Sequence, residues 1–369
     1  MSMRPLLLLL LCTMLLPPLA HAAPNRTITD AMQRQVSIPA EVRHVICSGP
    51  GCLRLLTYLQ AQHMIVGVDS IEVRGVDADA RPYAMANPQF ATYPVFGEFR
   101  GHDHPERIVT LEPLPDVIFK TSPESGHNPI LLQQKTGIPV ITLNYGDLTS
   151  GKSDLFASLR LMGSIVGQQK RAEEVIAFFE QTLEDVQTRM ATHDTSAIPA
   201  CYVGGIAMRG GRGFQSTMPS YTPFELLGIT NLAASGSRQS QAAHAVVSQE
   251  QLLAWDPACL FLDVSTSMLE PANNGLHALR TDPSYASLAA VRENTIRGVL
   301  PFNSYTQNFG SILANTYYIG SALFPQAFHD VDPATKADDI YRFLVGKPVF
   351  GQLEQQFDGL VFQTISIWN

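Results

Sequence analysis

The stretch DLFASLRLMGSIVGQQKRAEEVIAFFEQTLEDVQTRM, residues 154–190, carries apolar residues at the spacing of one helix face. Only Gly163 and Gly167 interrupt the pattern, and the stretch contains no proline. Such a run is much longer than the usual globular helix of roughly 8–20 residues. It predicts a long connecting helix over residues 151–192, bent near the glycines, between two separate halves of the chain.

Short β-rich runs alternate with helical patterns on both sides of this stretch. The predicted strands are 44–48, 64–68, 94–97, 117–119 and 139–143 before it, and 199–203, 259–263 and 298–301 after it. The predicted helices of the second half are 221–227, 248–253, 309–323, 336–345 and 351–357. Strands that alternate with helices indicate parallel sheets covered on both faces. The expected fold class is therefore α/β, two Rossmann-like lobes with parallel sheets joined by one long α-helix. The N-terminal lobe is expected over 23–150 and the C-terminal lobe, with a helical tail, over 193–369.

The first residues indicate export. Arg4 precedes the apolar run 6–16, and Ala20-His21-Ala22 then offers small residues at a cleavage site. The run is far shorter than the roughly 20 residues of a membrane span, so we expect a cleaved signal peptide over 1–22 and a periplasmic location. Cys12 lies inside the apolar run rather than after a cleavage site, which disfavours a lipid anchor.

Charge and length narrow the class further. The chain has 25 basic and 33 acidic residues, a balance that argues against nucleic acid as a partner. About 350 residues remain after export, more than one core usually organises, so two domains are expected. The chain keeps Cys47, Cys52, Cys201 and Cys259, and their spacing leaves disulfides, thiols and apolar packing equally open.

Two segments repeat one plan. Residues 105–111 (PERIVTL) followed by 115–119 (PDVIF) predict a short helix that feeds a strand, and residues 248–255 (SQEQLLAW) followed by 256–262 (DPACLFL) predict the same. Each unit places one glutamate, Glu106 or Glu250, at the start of its helix. A glutamate there stabilises a helix by only about 0.3–1 kcal/mol, so the matched pair indicates more than helix capping.

These units resemble the paired signature of the periplasmic binding proteins for iron–siderophore complexes and cobalamin, the long-helix-linked class of substrate-binding proteins. The opening ITDAMQRQV, residues 28–36, is similar to that family's T-D-x-x-G-R-x-V start, with Met32-Gln33 where a glycine is common. The resemblance extends over nearly the whole mature chain, including the long helix. The chain departs from the family in an insertion within 111–116, in a long segment 72–93 and in the tail after Tyr305.

The resemblance implies a binding protein rather than an enzyme. Its function would be to capture a metal chelate (ferric siderophore-like, haem or corrinoid) between the lobes and to deliver it to an ABC permease dimer with its ATPase. Glu106 and Glu250 would pair with permease arginines, an arrangement that steers docking more than it adds affinity. The expected protein is a monomer without a cofactor, membrane insertion or a nucleic-acid partner, and the long helix would keep lobe closure modest.

Candidate ligand contacts follow from the topology, because ligands of α/β sheets bind beyond the carboxyl ends of the strands. The first lobe contributes Ser48, Gly49, Gly51, Asp69, Arg100, Lys120 and Tyr145, and the second contributes Arg209, Asp263, Ser265, Asn303 and Tyr305. Arginine offers a planar fork for carboxylates, and tyrosines could stack on the rings of a chelate. Gly49-Pro50-Gly51 suits either close approach to an anionic group or a plain strand-to-helix turn.

Two other functions stay open at this point. His102-Asp103-His104 is the only histidine cluster, and a metal ion needs three or four converging donors, so we interpret it as a loop and predict no protein metal site. A receptor for a free metal ion or another small nutrient is the alternative. A periplasmic enzyme is a remote alternative, because no G-x-S-x-G, H-E-x-x-H or C-x-x-C motif occurs.

Overall fold

The computed structural model describes residues 25–75, 79–193, 195, 198–208, 212–234 and 244–368. It begins with an antiparallel hairpin of β1 (Arg26–Thr29) and β2 (Gln35–Ile38). Asp30 closes the turn by accepting from the backbone N–H groups of Met32 and Arg34, and its carboxylate pairs with the Arg34 guanidinium at 2.5 Å. Gln33 adopts a left-handed backbone with φ 60°, which explains why glycine is common at this point of the family's opening motif.

The first lobe is built on a six-stranded sheet. Its elements are β3 (Val45–Ser48), α1 (Cys52–Tyr58), β4 (Ile65–Asp69), α2 (Ser70–Val73), α3 (Pro82–Ala86), β5 (Val95–Glu98), β6 (His102–Asp103), α4 (Pro105–Ile108), β7 (Val117–Thr121), α5 (Pro129–Thr136) and β8 (Val140–Leu143). The strand order is β6-β5-β4-β3-β7-β8, and every pairing is parallel except that of β5 with β6. All five predicted strands are present. Every residue of β3, β4, β7 and β8 is buried, as expected of a parallel sheet covered on both faces.

The connection between the lobes consists of two helices, α6 (Lys152–Ile165) and α7 (Gln169–Met190). The bend expected near the glycines is a complete break. Gly167 is left-handed at φ 73°, and the Gln168 N–H donates to the Gly163 carbonyl at 2.8 Å, which closes the end of α6. A side chain at Gly163 would meet the Cβ of Ala172 at 2.9 Å, so the two helices pack closely where they turn. The amphipathic α7 is the long helix that links the lobes.

The second lobe has a smaller sheet. Its elements are β9 (Cys201–Gly204), β10 (Ser216–Thr217), α8 (Thr222–Leu227), β11 (Ala245–Val246), α9 (Gln249–Trp255), β12 (Cys259–Asp263), α10 (Gly275–Thr281), α11 (Ala289–Arg292) and β13 (Arg297–Val299). The parallel order is β13-β12-β9, and β10 pairs separately with β11.

The two lobes repeat one topology around the glutamate-bearing helices. In the first lobe β7 follows the Glu106 helix and lies between β3 and β8. In the second lobe β12 follows the Glu250 helix and lies between β9 and β13. The two similar sequence segments, 105–119 and 248–262, therefore form equivalent helix–strand units in the two sheets.

The tail consists of α12 (Phe309–Leu323), α13 (Pro333–Val345) and α14 (Phe350–Gln356). Although it follows the second lobe in sequence, α13 packs on α1 and α3 of the first lobe, and α12 packs on α8 of the second. The ring of Phe343 stacks on Phe178 of α7 with centroids 4.2 Å apart. One large apolar core therefore runs through the first lobe, the linking helix, the tail and one face of the second lobe. Within the described residues, no helix is long and apolar enough to cross a bilayer.

Candidate functional site

Two of the predicted ligand contacts, Ser48 and Lys120, lie at the carboxyl edge of the first sheet in a buried polar network. The Lys120 ammonium is fully buried and 2.7 Å from the Asp103 carboxylate, which is also fully buried. It also donates to Ser48 Oγ and to the Gly101 carbonyl, each at 3.1 Å, and Ser48 donates to Asp103 at 2.6 Å. All three N–H donors of Lys120 are therefore used inside the lobe.

A second group of predicted contacts comes together across the lobes. Tyr305 follows β13, and its hydroxyl donates to the Asp69 carboxylate at 2.5 Å and accepts from the Arg100 backbone N–H at 2.9 Å. Burial raises the pKa of Asp69 to about 7, and the Tyr305 hydroxyl opposes that rise. The Arg100 side chain is exposed and lies 4.9 Å over the ring of Phe99. Asp69, Arg100 and Tyr305 thus form one interlobe contact.

The glycine turn between β3 and α1 is closely covered. Gly49 and Gly51 are both left-handed, with φ 88° and 78°. A Cβ on Gly51 would lie 2.1 Å from the ring of Tyr145 and 2.7 Å from the methyl group of Thr306. The turn needs glycine because side chains from β8's loop and from the segment after β13 lie directly on it.

Residues 304–307, which we call the strap, lie across this edge of the first lobe. Arg54 of α1 donates to the carbonyls of Gln307 at 2.7 Å, Ser304 at 3.0 Å and Tyr305 at 3.3 Å. The hydroxyl of Tyr145 donates to the Gln307 carbonyl at 2.6 Å and accepts from Arg54 at 2.5 Å. The predicted ligand contact Tyr145 is thus a strap contact as well.

Arg54 is the important residue that sequence reasoning missed. It is 1% exposed although it is charged, and all seven residues of α1 are buried. The only available signal was its position inside the apolar stretch 52–60. Its partners lie some 250 positions away in the sequence, so no local pattern identifies them.

The second lobe places three predicted contacts around the end of β12 and the start of the strap. Asp263 is 1% exposed and accepts from the backbone N–H of Ser265 at 2.9 Å and from its hydroxyl at 2.6 Å. Burial raises the pKa of Asp263 to about 7. Asn303 donates to the Ala207 carbonyl at 2.9 Å. Arg209, the remaining candidate, lies outside the described residues and stays a prediction.

The two glutamates predicted to meet the permease are exposed. Glu106 lies in the first turn of α4 and Glu250 in the first turn of α9. Hydrogen bonds from its own backbone N–H and from the Ser248 side chain lower the pKa of Glu250. Ser248 also caps α9, so this carboxylate is partly engaged at the helix start.

The described residues contain no group of three or more His, Cys, Asp or Glu side chains that could hold a metal ion. In the predicted cluster, His102 is exposed and Asp103 is committed to Lys120. Cys47, Cys52, Cys201 and Cys259 are buried free thiols. Cys201 and Cys259 are direct neighbours on β9 and β12.

Comparison with known proteins identifies the family. The family model described as "Periplasmic binding protein" matches residues 45–299, which extend through both sheets. The chain belongs to the periplasmic binding protein family. This confirms the resemblance found in the paired glutamate units, and it makes the protein a solute-binding component of an ABC transporter rather than an enzyme.

Individual relatives agree with this assignment. The molybdate-binding protein MolA of Haemophilus influenzae is 22% identical over 90% of this chain and 95% of its own length. Its molybdate-bound structure superposes with a TM-score of 0.66 at 18% identity, over 88% of this chain and 98% of that one. A periplasmic solute-binding protein of Veillonella parvula superposes with a TM-score of 0.68 at 16% identity, over 91% and 97%. The iron-uptake system-binding protein of Bacillus subtilis is 24% identical over 50% of this chain and 55% of its own length. These structures confirm an α/β fold with two parallel-sheet lobes.

Proposed function

We propose that this periplasmic binding protein captures a metal chelate between its two lobes and hands it to an ABC permease dimer in the periplasm. The observation that carries the proposal is the family match through both lobes, together with relatives whose names specify iron uptake and molybdate. In such a complex the ligand's own atoms hold the metal, so the protein needs only polar and aromatic contacts around it.

The contacts proposed for the ligand are those that the interior does not use up. On the first lobe this is the exposed Arg100 guanidinium, and on the second lobe they are the half-buried Ser265 after β12 and Asn303 after β13. An arginine fork suits the carboxylate or catecholate oxygens of an anionic chelate. Lys120 is left out because all of its donors are occupied.

A metal oxyanion such as molybdate is the second candidate. Tyr305 and Thr306 occupy the space over Asp69 and Gly51, which reduces the room for a large macrocycle between the lobes. MolA, whose name specifies molybdate, also matches 90% of this chain. A ligand of that size would still arrive with its metal already coordinated.

The test is to purify the protein from the native periplasm and measure its metal content, its absorption spectrum and the mass of any bound compound. Calorimetry then compares a ferric tris-catecholate, haemin, cobalamin, molybdate, Zn²⁺ and Mn²⁺ as added ligands. We expect binding of a metal complex. Tight binding of Zn²⁺ or Mn²⁺ without binding of any complex would overturn the proposal and establish a receptor for free metal ions.

A further inference from the structure

The interlobe contact includes three residues with an unusual backbone conformation. Arg100, Tyr305 and Thr306 are left-handed, with φ 63°, 50° and 65°, although none of them is glycine. Arg100 and Tyr305 bind each other, and Thr306 lies on Gly51. Conformations of this kind persist only where the surroundings enforce them, and they cluster at functional sites.

Arg54 helps to hold Tyr305 and Thr306 in this conformation, because it binds backbone carbonyls of the strap. Its guanidinium is held within the first lobe by the ring of Tyr83 at 5.1 Å and by the hydroxyl of Tyr145. Its donors point outward to three strap carbonyls. A fork of donors fixed in one plane orients the backbone that it binds, which a flexible ammonium does not do as well.

The strap also has a hold on the second lobe. It follows β13 after residues 300–303, and Asn303 of that connection donates to the carbonyl of Ala207, just beyond β9. The first lobe therefore grips, through Arg54, a segment whose other end is fixed in the second lobe. The connection is a further tie between the lobes, beside α7 and the tail helices α12 and α13.

We propose that Arg54 is a positioning residue of the cleft, which fastens the strap to the first lobe and so sets the separation of the lobes before any ligand binds. The Tyr305 hydroxyl on Asp69 is held in place by the same grip. The inference concerns the ligand-free protein, and it goes beyond the proposed function because it is independent of the cargo.

The experiment measures the distance between the lobes without ligand. Spin labels are attached to Gln134→Cys on α5 and Ala254→Cys on α9, both exposed positions, while the four native cysteines of the described chain are buried. Double electron–electron resonance should give one narrow distance for the otherwise native protein. In Arg54→Met we expect a broader distribution with a second, longer distance. Its circular-dichroism spectrum should match that of the protein with Arg54, which shows that the variant is folded.

Arg171→Met is the matched control. Arg171 also ties the tail to the first lobe, because it donates to the carbonyls of Tyr58 and Phe343, but it does not touch the strap. We expect it to keep the narrow distance. If it broadens the distribution as much as Arg54→Met does, loosening of the tail is the cause and the proposal is wrong.

Tyr145→Phe provides a milder variant in case Arg54→Met does not fold. It removes the hydroxyl that joins Arg54 to Gln307, and it keeps the ring stacked on Phe309 at 4.9 Å. We expect the longer distance to appear in a smaller fraction of molecules. A single unchanged distance in Tyr145→Phe and in every folded Arg54 variant overturns the proposal, whatever ligand the protein binds.

Discussion

At the scale of single residues, Lys120 shows how a candidate ligand contact becomes a structural one. It lies one residue before the end of β7 at the cleft edge, where ligand contacts are expected, but its side chain points into the lobe and pairs with Asp103. Both side chains are fully buried, so each charge depends on the other for its compensation.

Lys120→Met should therefore lower the free energy of unfolding by about 3–5 kcal/mol, because it leaves the Asp103 carboxylate buried without its cation. Urea unfolding measures the loss. Arg160→Met is the control, since the Arg160–Glu173 pair is more than half exposed on both sides and should contribute no more than about 1 kcal/mol. Equal losses in the two variants would contradict the structural role of Lys120.

Asp263 should make the protein less stable as the pH rises. Burial raises its pKa from 3.8 to about 7, so between pH 4 and pH 7 the folded state keeps a proton that the unfolded state has lost. The contribution of Asp263 to the free energy of unfolding is then greatest at about pH 4 and below. It falls by on the order of 1 kcal/mol per pH unit up to about pH 7.

Asp263→Asn has no proton to lose, so urea unfolding across this range should show a shallower decline than in the native protein. Part of the decline should remain, because Asp69 has a similarly raised pKa. Asp358→Asn alters an exposed aspartate and should leave the slope as it is. An unchanged slope in Asp263→Asn would show that this carboxyl group ionises normally.

At the scale of elements, the turn between β3 and α1 depends on what covers it. Gly51→Ala places a methyl group against Tyr145 and Thr306 and should cost about 2–4 kcal/mol from overpacking and a left-handed alanine. Gly137→Ala is the matched control, with φ 71° and nothing within 4 Å of the new Cβ, and it should cost about 1 kcal/mol. Thermal unfolding compares them. Equal losses would mean that the covering side chains move aside freely.

The same elements show what sequence reasoning can and cannot predict. The strands β3, β4, β7 and β8 are mostly apolar runs, and α12 begins and ends where its apolar pattern does. The local sequence pattern was therefore sufficient to predict them. The break at Gly167 had a local signal too, a glycine at a helix end. The two-residue strand β6 had no such signal in the sequence. Because β6 carries Asp103, the ion pair of Asp103 with Lys120 could not be predicted either. The hydrogen bonds of Arg54 to the strap join segments some 250 residues apart. Only the folded chain brings them together, so the sequence could not predict them.

At the scale of the whole molecule, the delivery of ligand to the permease can be tested through Glu106 and Glu250. Charge reversal of Glu106 and Glu250 together should abolish uptake and leave ligand affinity unchanged, because exposed charges orient a partner more than they shape a distant cleft. Uptake of the cargo metal by cells and calorimetry on the purified variant measure the two effects. The control reverses Glu184 and Glu293, which are also exposed. Normal uptake in the Glu106→Lys, Glu250→Lys variant would rule out the docking role.

The placement of the tail has a consequence for how the chain matures. Helix α1 is buried on every residue, partly beneath α13, and Lys347 reaches back to the Ala86 carbonyl at 2.7 Å. A chain that emerges with its N-terminus first cannot complete its first lobe until nearly the last residues have arrived. During that interval an apolar surface stays open to chaperones, and a ribosome that stops before residue 333 releases a product with an unfinished first lobe. A premature stop codon shortly before residue 333 should thus lead to proteolysis of the product rather than leave a working half.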